Sequence, residues 1–283
     1  MTYRDLLNRY KCFVEEHGKE ITAVKFIIQE LSSFNSSDFV LNYENEVDEN
    51  LLKKIIIALN DYIFANVPAQ YLVGYTYFYG LKFKVNENTL IPRRETEELV
   101  DYIIKNQDFK NPKILDIGTG SGAISVSLKA NITDAIVTGV DISKEALKVA
   151  KDNAISNNQE VEFLESDLFQ NINSKYDIIV SNPPYISKSE DVDNLVLANE
   201  PHLALFALDG GLYFYKEILD KARDHLNYKS LIAFEIPEDK DDELIKLVKK
   251  YYPTSEFLIK KDLQNKSRIL IVRNNWWWRV WNF

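Results

Sequence analysis

The scarcity of some residue types in this sequence excludes several classes of protein. Cys12 is the only cysteine among 283 residues, so the fold is not a disulfide scaffold. The three histidines, His17, His202 and His225, are scattered along the chain and lack the spacing of a structural zinc site. We therefore expect no metal centre.

Long apolar runs are also missing. No stretch of about 18 apolar residues occurs, which excludes a membrane-spanning helix. The first nine residues hold neither an apolar signal core nor an acid-free stretch rich in Arg and Ser, so we expect a cytoplasmic protein. The formal net charge of −9 disfavours nonspecific nucleic-acid binding.

The composition that is present, 46% hydrophobic and 27% charged, is typical of a globular protein. The first 69 residues show only helical periodicity, with apolar residues at helical spacing from Leu6 to Val14, over 22–32 and over 51–64. Positions 1–70 carry 7 basic and 11 acidic residues, so this segment is not a basic arm. We predict a small helical domain over 1–69.

The composition changes over 70–94. Aromatic residues crowd between Tyr71 and Phe83, and Gly74 and Gly80 interrupt them, which predicts a β-hairpin. Pro92 then precedes a charged segment over 95–105 that we predict to be helical.

From position 113 onward, predicted strands alternate with predicted helices. The strands are 113–117, 135–140, 161–164, 177–181 and 231–236; the helices are 123–129, 144–153, 211–225 and 241–252. Segments 257–259 and 269–272 suit an antiparallel end. Such alternation predicts an α/β domain over 95–273 with a mainly parallel sheet, whose ligands bind at the carboxyl ends of the strands.

A glycine-rich turn joins the first of these strands to the first helix: Asp116-Ile117-Gly118-Thr119-Gly120-Ser121-Gly122-Ala123. Glycines let the backbone turn sharply, and free N–H groups at a helix start can face an anionic ligand. The third glycine comes one residue too early for the strict dinucleotide fingerprint. NAD enzymes and methyltransferases share such turns, and a tight turn without a ligand is the remaining alternative.

Acidic residues follow the next two strands. Asp141 stands where a carboxylate typically accepts hydrogen bonds from a ribose diol, although Asp141 or Ser143 could instead cap the following helix. In the segment Ser166-Asp167-Leu168-Phe169, an acid could reach an adenine amino group while Leu168 or Phe169 lies against the ring.

The segment Asn182-Pro183-Pro184-Tyr185 follows the strand 177–181. Two prolines cannot continue a sheet ladder, and they leave carbonyl groups free to face a pocket. The Asn182 oxygen and a Pro-flanked carbonyl are acceptors suited to a planar NH₂ group, and Tyr185 offers an aromatic face. A rigid turn without a substrate is the alternative.

With these residues the chain resembles the class I S-adenosylmethionine-dependent methyltransferases that act on planar amino nitrogens. More narrowly, it is similar to the HemK/PrmC family, the protein-(glutamine-N5) methyltransferases of peptide chain release factors. The additional matching segments are Pro68-Ala69-Gln70-Tyr71-Leu72-Val73-Gly74, Leu90-Ile91-Pro92-Arg93-Arg94-Glu95-Thr96-Glu97, Glu200-Pro201 and Asp209-Gly210-Gly211-Leu212. The resemblance covers residues 3–273.

The resemblance implies a seven-stranded Rossmann-like methyltransferase sheet, a helical domain that recognises the release factor, and a monomer. Its cofactor would be S-adenosylmethionine, held by Asp116, the Gly118–Gly122 turn, Asp141, Asp167, Leu168 and Asn182. The residues Asn182, Pro183, Pro184 and Tyr185 would hold the acceptor, the glutamine of the Gly-Gly-Gln tripeptide, with Asn182, Pro183 and Tyr185 catalytic. No membrane and no direct nucleic-acid partner are expected.

Two departures from the family and one alternative remain. Arg94 replaces a usual proline, and Pro237 follows a strand where a glycine is usual. All four tryptophans lie in a tail, 274–283, which we interpret as an extension rather than a functional element. The alternative function is an amino-methyltransferase of adenine or guanine, since its chemistry at Asn-Pro-Pro-Tyr is the same; the acidic charge disfavours it.

Overall fold

The computed structural model describes residues 1–187, 194–262 and 264–275. The tail beyond 275, with its four tryptophans, therefore lies outside the described residues. The chain separates into two compact units. The first comprises Met1–Tyr75, Val85–Glu87 and the described residues of Val192–Asn199. The second comprises the described residues of Thr76–Lys84, Asn88–Asp191 and Glu200–Phe283.

The first unit is helical. Its helices, numbered along the whole chain, are α1 (Tyr3–Glu16), α2 (Ile21–Leu31), α3 (Ser36–Leu41), α4 (Glu49–Phe64), α5 (Ala69–Val73) and α9 (Asn194–Asn199). Thr2 caps α1 in a capping box with Asp5, and Asn35 caps α3 in the same way with Asp38. The apolar faces of α1, α2 and α4 enclose one core, which includes Leu6, Ile27 and Leu59.

The second unit contains a hairpin of β1 (Tyr75–Phe78) and β2 (Leu81–Lys84), except that Tyr75, the first residue of β1, belongs to the first unit. It also contains a seven-stranded sheet in the order β5-β4-β3-β6-β7-β9-β8. These strands are β3 (Lys113–Ile117), β4 (Ile136–Asp141), β5 (Glu162–Glu165), β6 (Tyr176–Ser181), β7 (Leu226–Glu235), β8 (Glu256–Lys261) and β9 (Ser267–Asn275). The first five in sheet order are parallel, and β9 is antiparallel to β7 and β8.

Helices cover both faces of this sheet. They are α6 (Arg94–Asn106), α7 (Ala123–Asn131), α8 (Lys144–Ser156), α10 (Tyr213–Lys221) and α11 (Asp241–Tyr251). Successive strand residues point to opposite faces, so Ile114 joins the core beneath α6, α7 and α8, whereas Leu115 joins the core beneath α10 and α11. A parallel sheet covered on both faces explains why its strands read as nearly continuous apolar runs.

The predicted α/β class with a parallel sheet, an antiparallel end, a hairpin and N-terminal helices is confirmed. Differences are local. The first part of the segment predicted as a hairpin is instead the short helix α5. This helix ends at Gly74, which adopts the left-handed conformation at φ 87°. The helix predicted over 211–225 is α10 flanked by two 3₁₀ turns, and β7 begins earlier than predicted, at Leu226. The exact domain boundaries stay a prediction.

Among the described residues, none of the helices is both long enough and apolar enough to pass through a membrane.

In the second unit, α6 begins at Arg94 and its N-cap residue, Arg93, makes no side-chain capping hydrogen bond.

Candidate functional site

The glycine-rich turn lies at the carboxyl end of β3. Gly118, Gly120 and Gly122 all have positive φ angles, of 72°, 55° and 79°. The N–H groups of Gly118 and Thr119 both donate to the Val140 carbonyl at 2.9 Å, which ties the turn to the end of β4. Residues with side chains rarely adopt three such angles within five positions, so the conformation requires the glycines.

Asp116, the last residue but one of β3, lies beneath this turn and is fully buried. Its Oδ2 accepts hydrogen bonds from the Thr119 hydroxyl at 2.6 Å and the Ser125 N–H at 3.2 Å. Its Oδ1 is buried without a partner among the described residues. Burial raises the pKa of Asp116 to about 7, and the hydrogen bonds from Thr119 and Ser125 oppose this shift.

Asp141 ends β4 beside the turn. Its Oδ2 accepts from the Gly120 N–H and its Oδ1 from the Ser143 N–H, both at 2.9 Å. Ser143, whose hydroxyl accepts from the Ala146 N–H, is the N-cap of α8, so Asp141 is not the cap. Burial raises the pKa of Asp141 against these hydrogen bonds. Each carboxylate oxygen keeps a lone pair for another donor.

The segment after β5 separates its candidate residues. Asp167 is exposed and Leu168 is half-buried, with Leu168 in the left-handed conformation at φ 50°. Phe169 is buried and stacks on His225, with ring centroids 4.7 Å apart. Of the two alternatives for the contact with an adenine ring, Leu168 is the more exposed, and its role stays a prediction.

The strand register places the Asn-Pro-Pro-Tyr segment beside the glycine turn. Ile117 of β3 pairs with Ser181 of β6, and the Ser181 hydroxyl donates to the Ile117 carbonyl at 2.7 Å. Gly118 and Asn182 each follow one member of this pair. On the other side of β6, Ser181 pairs with Phe234, so Glu235 at the end of β7 lies next to Asn182.

Three polar side chains meet there. The Asn182 Nδ2 donates to the Thr96 Oγ1 at 3.2 Å, and the Thr96 hydroxyl donates to the Glu235 Oε2 at 2.5 Å. Burial raises the pKa of Glu235 to about 7, while hydrogen bonds from Thr96 and Asn182 oppose the shift. The Tyr215 hydroxyl donates to the Glu235 carbonyl at 2.8 Å and fixes the backbone at this strand end.

The other three residues of the Asn-Pro-Pro-Tyr segment are wholly or partly buried. Pro183 is buried, and Pro184 and Tyr185 are half-buried. Burial raises the pKa of Tyr185 to about 12. Gly211 passes so close that a Cβ atom there would lie 2.2 Å from the Tyr185 carbonyl oxygen.

Other segments that carry the family resemblance meet at Glu200. This buried carboxylate accepts from the Arg93 guanidinium at 2.5 Å and from the Ile91 N–H at 3.2 Å. The matching segments 90–97 and 200–201 are thus joined by an ion pair.

Sequence reasoning missed three residues here. Asn153 of α8 is fully buried; its Nδ2 donates to the carbonyls of Ser121 and Lys84, and its Oδ1 accepts from the Lys84 N–H. Thr96 and Glu235 are buried beside Asn182. A polar residue at an apolar helix position, as at Asn153, was the available signal.

The fold and the two motifs at adjacent strand ends define the chain as a class I S-adenosylmethionine-dependent methyltransferase. The Methyltransferase small domain family matches residues 95–205. A solved methyltransferase structure from Pyrococcus furiosus has the same fold, with a TM-score of 0.52 at 19% identity, covering 81% of this chain and 100% of that one.

The chain belongs to the release factor glutamine methyltransferase family. It is 38% identical over 274 residues to the release factor glutamine methyltransferase of Streptococcus pneumoniae, covering 96% of this chain and 98% of that protein. It is 40% identical over 267 residues to the enzyme of the same name from Flavobacterium psychrophilum, covering 90% of this chain and 92% of that protein.

Proposed function

We propose that this protein transfers a methyl group from S-adenosylmethionine to the side-chain amide nitrogen of the glutamine in the Gly-Gly-Gln tripeptide of peptide chain release factors. The observation that carries the proposal is the identity to release factor glutamine methyltransferases over nearly the whole chain. The reaction takes place in the cytoplasm, and the protein acts as a monomer.

The residues of the strand ends fit the cofactor. The glycine turn leaves open space at Gly118 and Gly120 for a ligand to approach the backbone. Asp141, half-buried, has lone pairs for the ribose hydroxyls, and the buried Asp116 oxygen without a partner can accept from a ligand N–H. Asp167 and Leu168 would flank the adenine. S-adenosylmethionine supplies an electrophilic methyl group.

The chain's own residues orient the acceptor. An amide nitrogen is a weak nucleophile, so alignment supplies most of the catalysis, at best roughly 7–11 kcal/mol. The Asn182 oxygen and the Pro183 carbonyl would accept the two N–H bonds of the glutamine amide, and Tyr185 would cover its plane. These acceptors also favour the positive charge that develops on the nitrogen. The nitrogen gains the methyl group as the bond between the methyl carbon and sulfur breaks, which leaves S-adenosyl-L-homocysteine as the product. The nitrogen loses one hydrogen as a proton, which passes to solvent without a strong base.

The experiment is transfer of radiolabelled methyl from S-adenosylmethionine to a purified release factor. The factor with Gln replaced by Ala in Gly-Gly-Gln and an RNA sample are measured beside it. We expect label on the wild-type factor alone. Label on RNA would overturn the proposal in favour of a nucleic-acid methyltransferase.

Asn182→Ala tests the acceptor role within this reaction. Because Asn182 is proposed to hold the amide, its loss should lower kcat by roughly 100-fold or more, as for the loss of a preorganised transition-state contact. The Kd for S-adenosylmethionine, measured by calorimetry, should change far less. Equal losses in rate and cofactor affinity would contradict the acceptor role.

A further inference from the structure

A buried threonine and a buried glutamate lie behind Asn182 and belong to neither ligand-binding motif. Thr96 is in the first turn of α6, and Glu235 ends β7; their relative exposures are 5% and 4%. Burial of a carboxylate raises the free energy of the folded state unless the group is hydrogen-bonded, so Glu235 needs donors at this place. Thr96 donates a hydrogen bond to Glu235, and the Asn182 NH₂ group donates to Thr96 and also faces the Glu235 carboxylate.

The direction of these hydrogen bonds follows from the chemistry of the groups. A threonine hydroxyl has one hydrogen, and an ionised carboxylate can only accept. Since Thr96 gives its hydrogen to Glu235 at 2.5 Å, only lone pairs of Oγ1 remain for Asn182. The Asn182 amide must therefore turn its NH₂ group toward Thr96, where the contact measures 3.2 Å.

The opposite orientation of Asn182 is disfavoured twice. An Asn182 oxygen turned toward Thr96 would face the lone pairs of Oγ1, and it would also approach the negative charge of Glu235. A side-chain amide can otherwise present either its oxygen or its NH₂ group to a neighbour, so the buried pair of Thr96 and Glu235 selects one of two orientations. On the opposite edge of the amide, no described residue donates a hydrogen bond to the Asn182 Oδ1.

We propose that Thr96 and Glu235 are positioning residues, which orient the Asn182 amide so that its oxygen, not its NH₂ group, faces the glutamine acceptor. The inference rests on the proposed function, because the acceptor amide is the donor that needs an oxygen at this point. If the Asn182 amide were inverted, its NH₂ group would face the NH₂ group of the glutamine, and the Asn182 oxygen would no longer accept a hydrogen bond from it.

The test compares Thr96→Val, which removes the hydroxyl and keeps the shape, with Thr96→Ser, which keeps the hydroxyl. At pH 8, where Glu235 is ionised, we expect Thr96→Val to lower kcat by roughly 10- to 100-fold, the range of a small misplacement of a reacting group. Thr96→Ser should restore most of the rate. Neither variant should change the Kd for S-adenosylmethionine.

Thr138→Val is the matched control. Thr138 is also buried and also donates to a glutamate, Glu162 at 3.3 Å, but on β4 and β5. Its loss should leave kcat unchanged. A fall in kcat equal to that of Thr96→Val would overturn the inference, because the loss of any buried threonine hydroxyl would then have the same effect.

A double-mutant cycle separates positioning from a structural role. If Thr96 acts through Asn182, Thr96→Val should cause no further loss of single-turnover rate in an Asn182→Ala background. Losses that multiply would show that Thr96 acts independently of Asn182 and would overturn the inference.

Glu235→Gln covers the case in which Thr96→Val does not fold. It keeps the shape, removes the charge and allows the chain of hydrogen bonds to reverse, so kcat should fall while the cofactor Kd holds. An unchanged kcat overturns the inference.

If wild-type protein labels a release factor and these variants do so equally well, only the positioning inference fails; if wild-type protein labels none, the proposed function fails with it.

Discussion

At the scale of single residues, the site depends on contacts that leave no room for a side-chain atom. Gly211 is the sharpest instance, since a Cβ there would overlap the Tyr185 carbonyl and its φ is 91°. The segment that holds Asn182 and Tyr185 is thus supported by a glycine well over 20 positions further along the chain.

We predict that Gly211→Ala lowers the free energy of unfolding by roughly 2–5 kcal/mol, because it adds backbone strain to a steric overlap. It should also lower kcat, since relief of the overlap displaces the Asn-Pro-Pro-Tyr segment. Urea unfolding and a methyl-transfer assay measure the two effects.

Gly210→Ala is the control for this prediction. Gly210 also has a positive φ, 62°, but no atom lies within 4 Å of a Cβ built there. Only the conformational cost of about 1–2 kcal/mol is expected, with kcat unchanged. Equal effects of the two substitutions would show that the contact with Tyr185 is unimportant.

At the scale of secondary-structure elements, Asn153 joins three of them. Its side chain connects α8 to β2 and to the glycine turn through hydrogen bonds of 2.7–3.0 Å. The turn at the cofactor site is therefore supported by a side chain whose partners are distant in sequence.

Replacement of Asn153 by Ala leaves the Lys84 N–H and two carbonyl groups without their partner. We predict a loss of roughly 2–5 kcal/mol in the free energy of unfolding, since each unsatisfied buried group costs about 1–3 kcal/mol. The Kd for S-adenosylmethionine should rise because the glycine turn loses support. Denaturant unfolding and calorimetry provide the two measurements.

Asn157→Ala, at the C-cap of the same helix, is the matched substitution. Asn157 also donates to a β2 carbonyl, that of Lys82 at 2.9 Å, but near the surface, where water replaces the lost bond. Its cost should stay below about 1 kcal/mol, with the cofactor Kd unchanged. A similar rise in Kd for both variants would argue against specific support of the turn by Asn153.

At the scale of the whole molecule, two buried carboxyl groups set the pH dependence of stability. Burial raises the pKa of Asp116 and of Glu235 to about 7, from 3.8 and 4.5. Between about pH 5 and 7, the folded protein holds protons on these groups that the unfolded chain has already released. The folded state therefore binds more protons in this window.

We predict that the free energy of unfolding falls as pH rises from 5 to about 7, and levels off above it. Each such group contributes a slope of at most about 1.4 kcal/mol per pH unit. Asp116→Asn cannot titrate and should flatten the slope by one group's share, as measured by urea unfolding at successive pH values. Stability that rises with pH across this window would contradict the burial argument.

Sequence reasoning predicted the parts of the site that lie next to each other in the chain. The strand 113–117, the glycine turn and the helix after it were found because one segment contains the apolar run, the glycines and the helical pattern. The role of Ser143 as the cap of α8 stayed open in the sequence, because Asp141 and Ser143 are both good capping residues.

The family and the class of fold can be predicted from the chain alone, since motif spacing and strand–helix alternation are local properties. The set of side chains around Asn182 depends instead on the folded sheet. Thr96 lies 86 positions before Asn182, and Glu235 lies 139 positions after Thr96. A hydrogen bond requires its atoms to lie within about 3 Å, and only the folded sheet, with β7 beside β6, brings these residues that close.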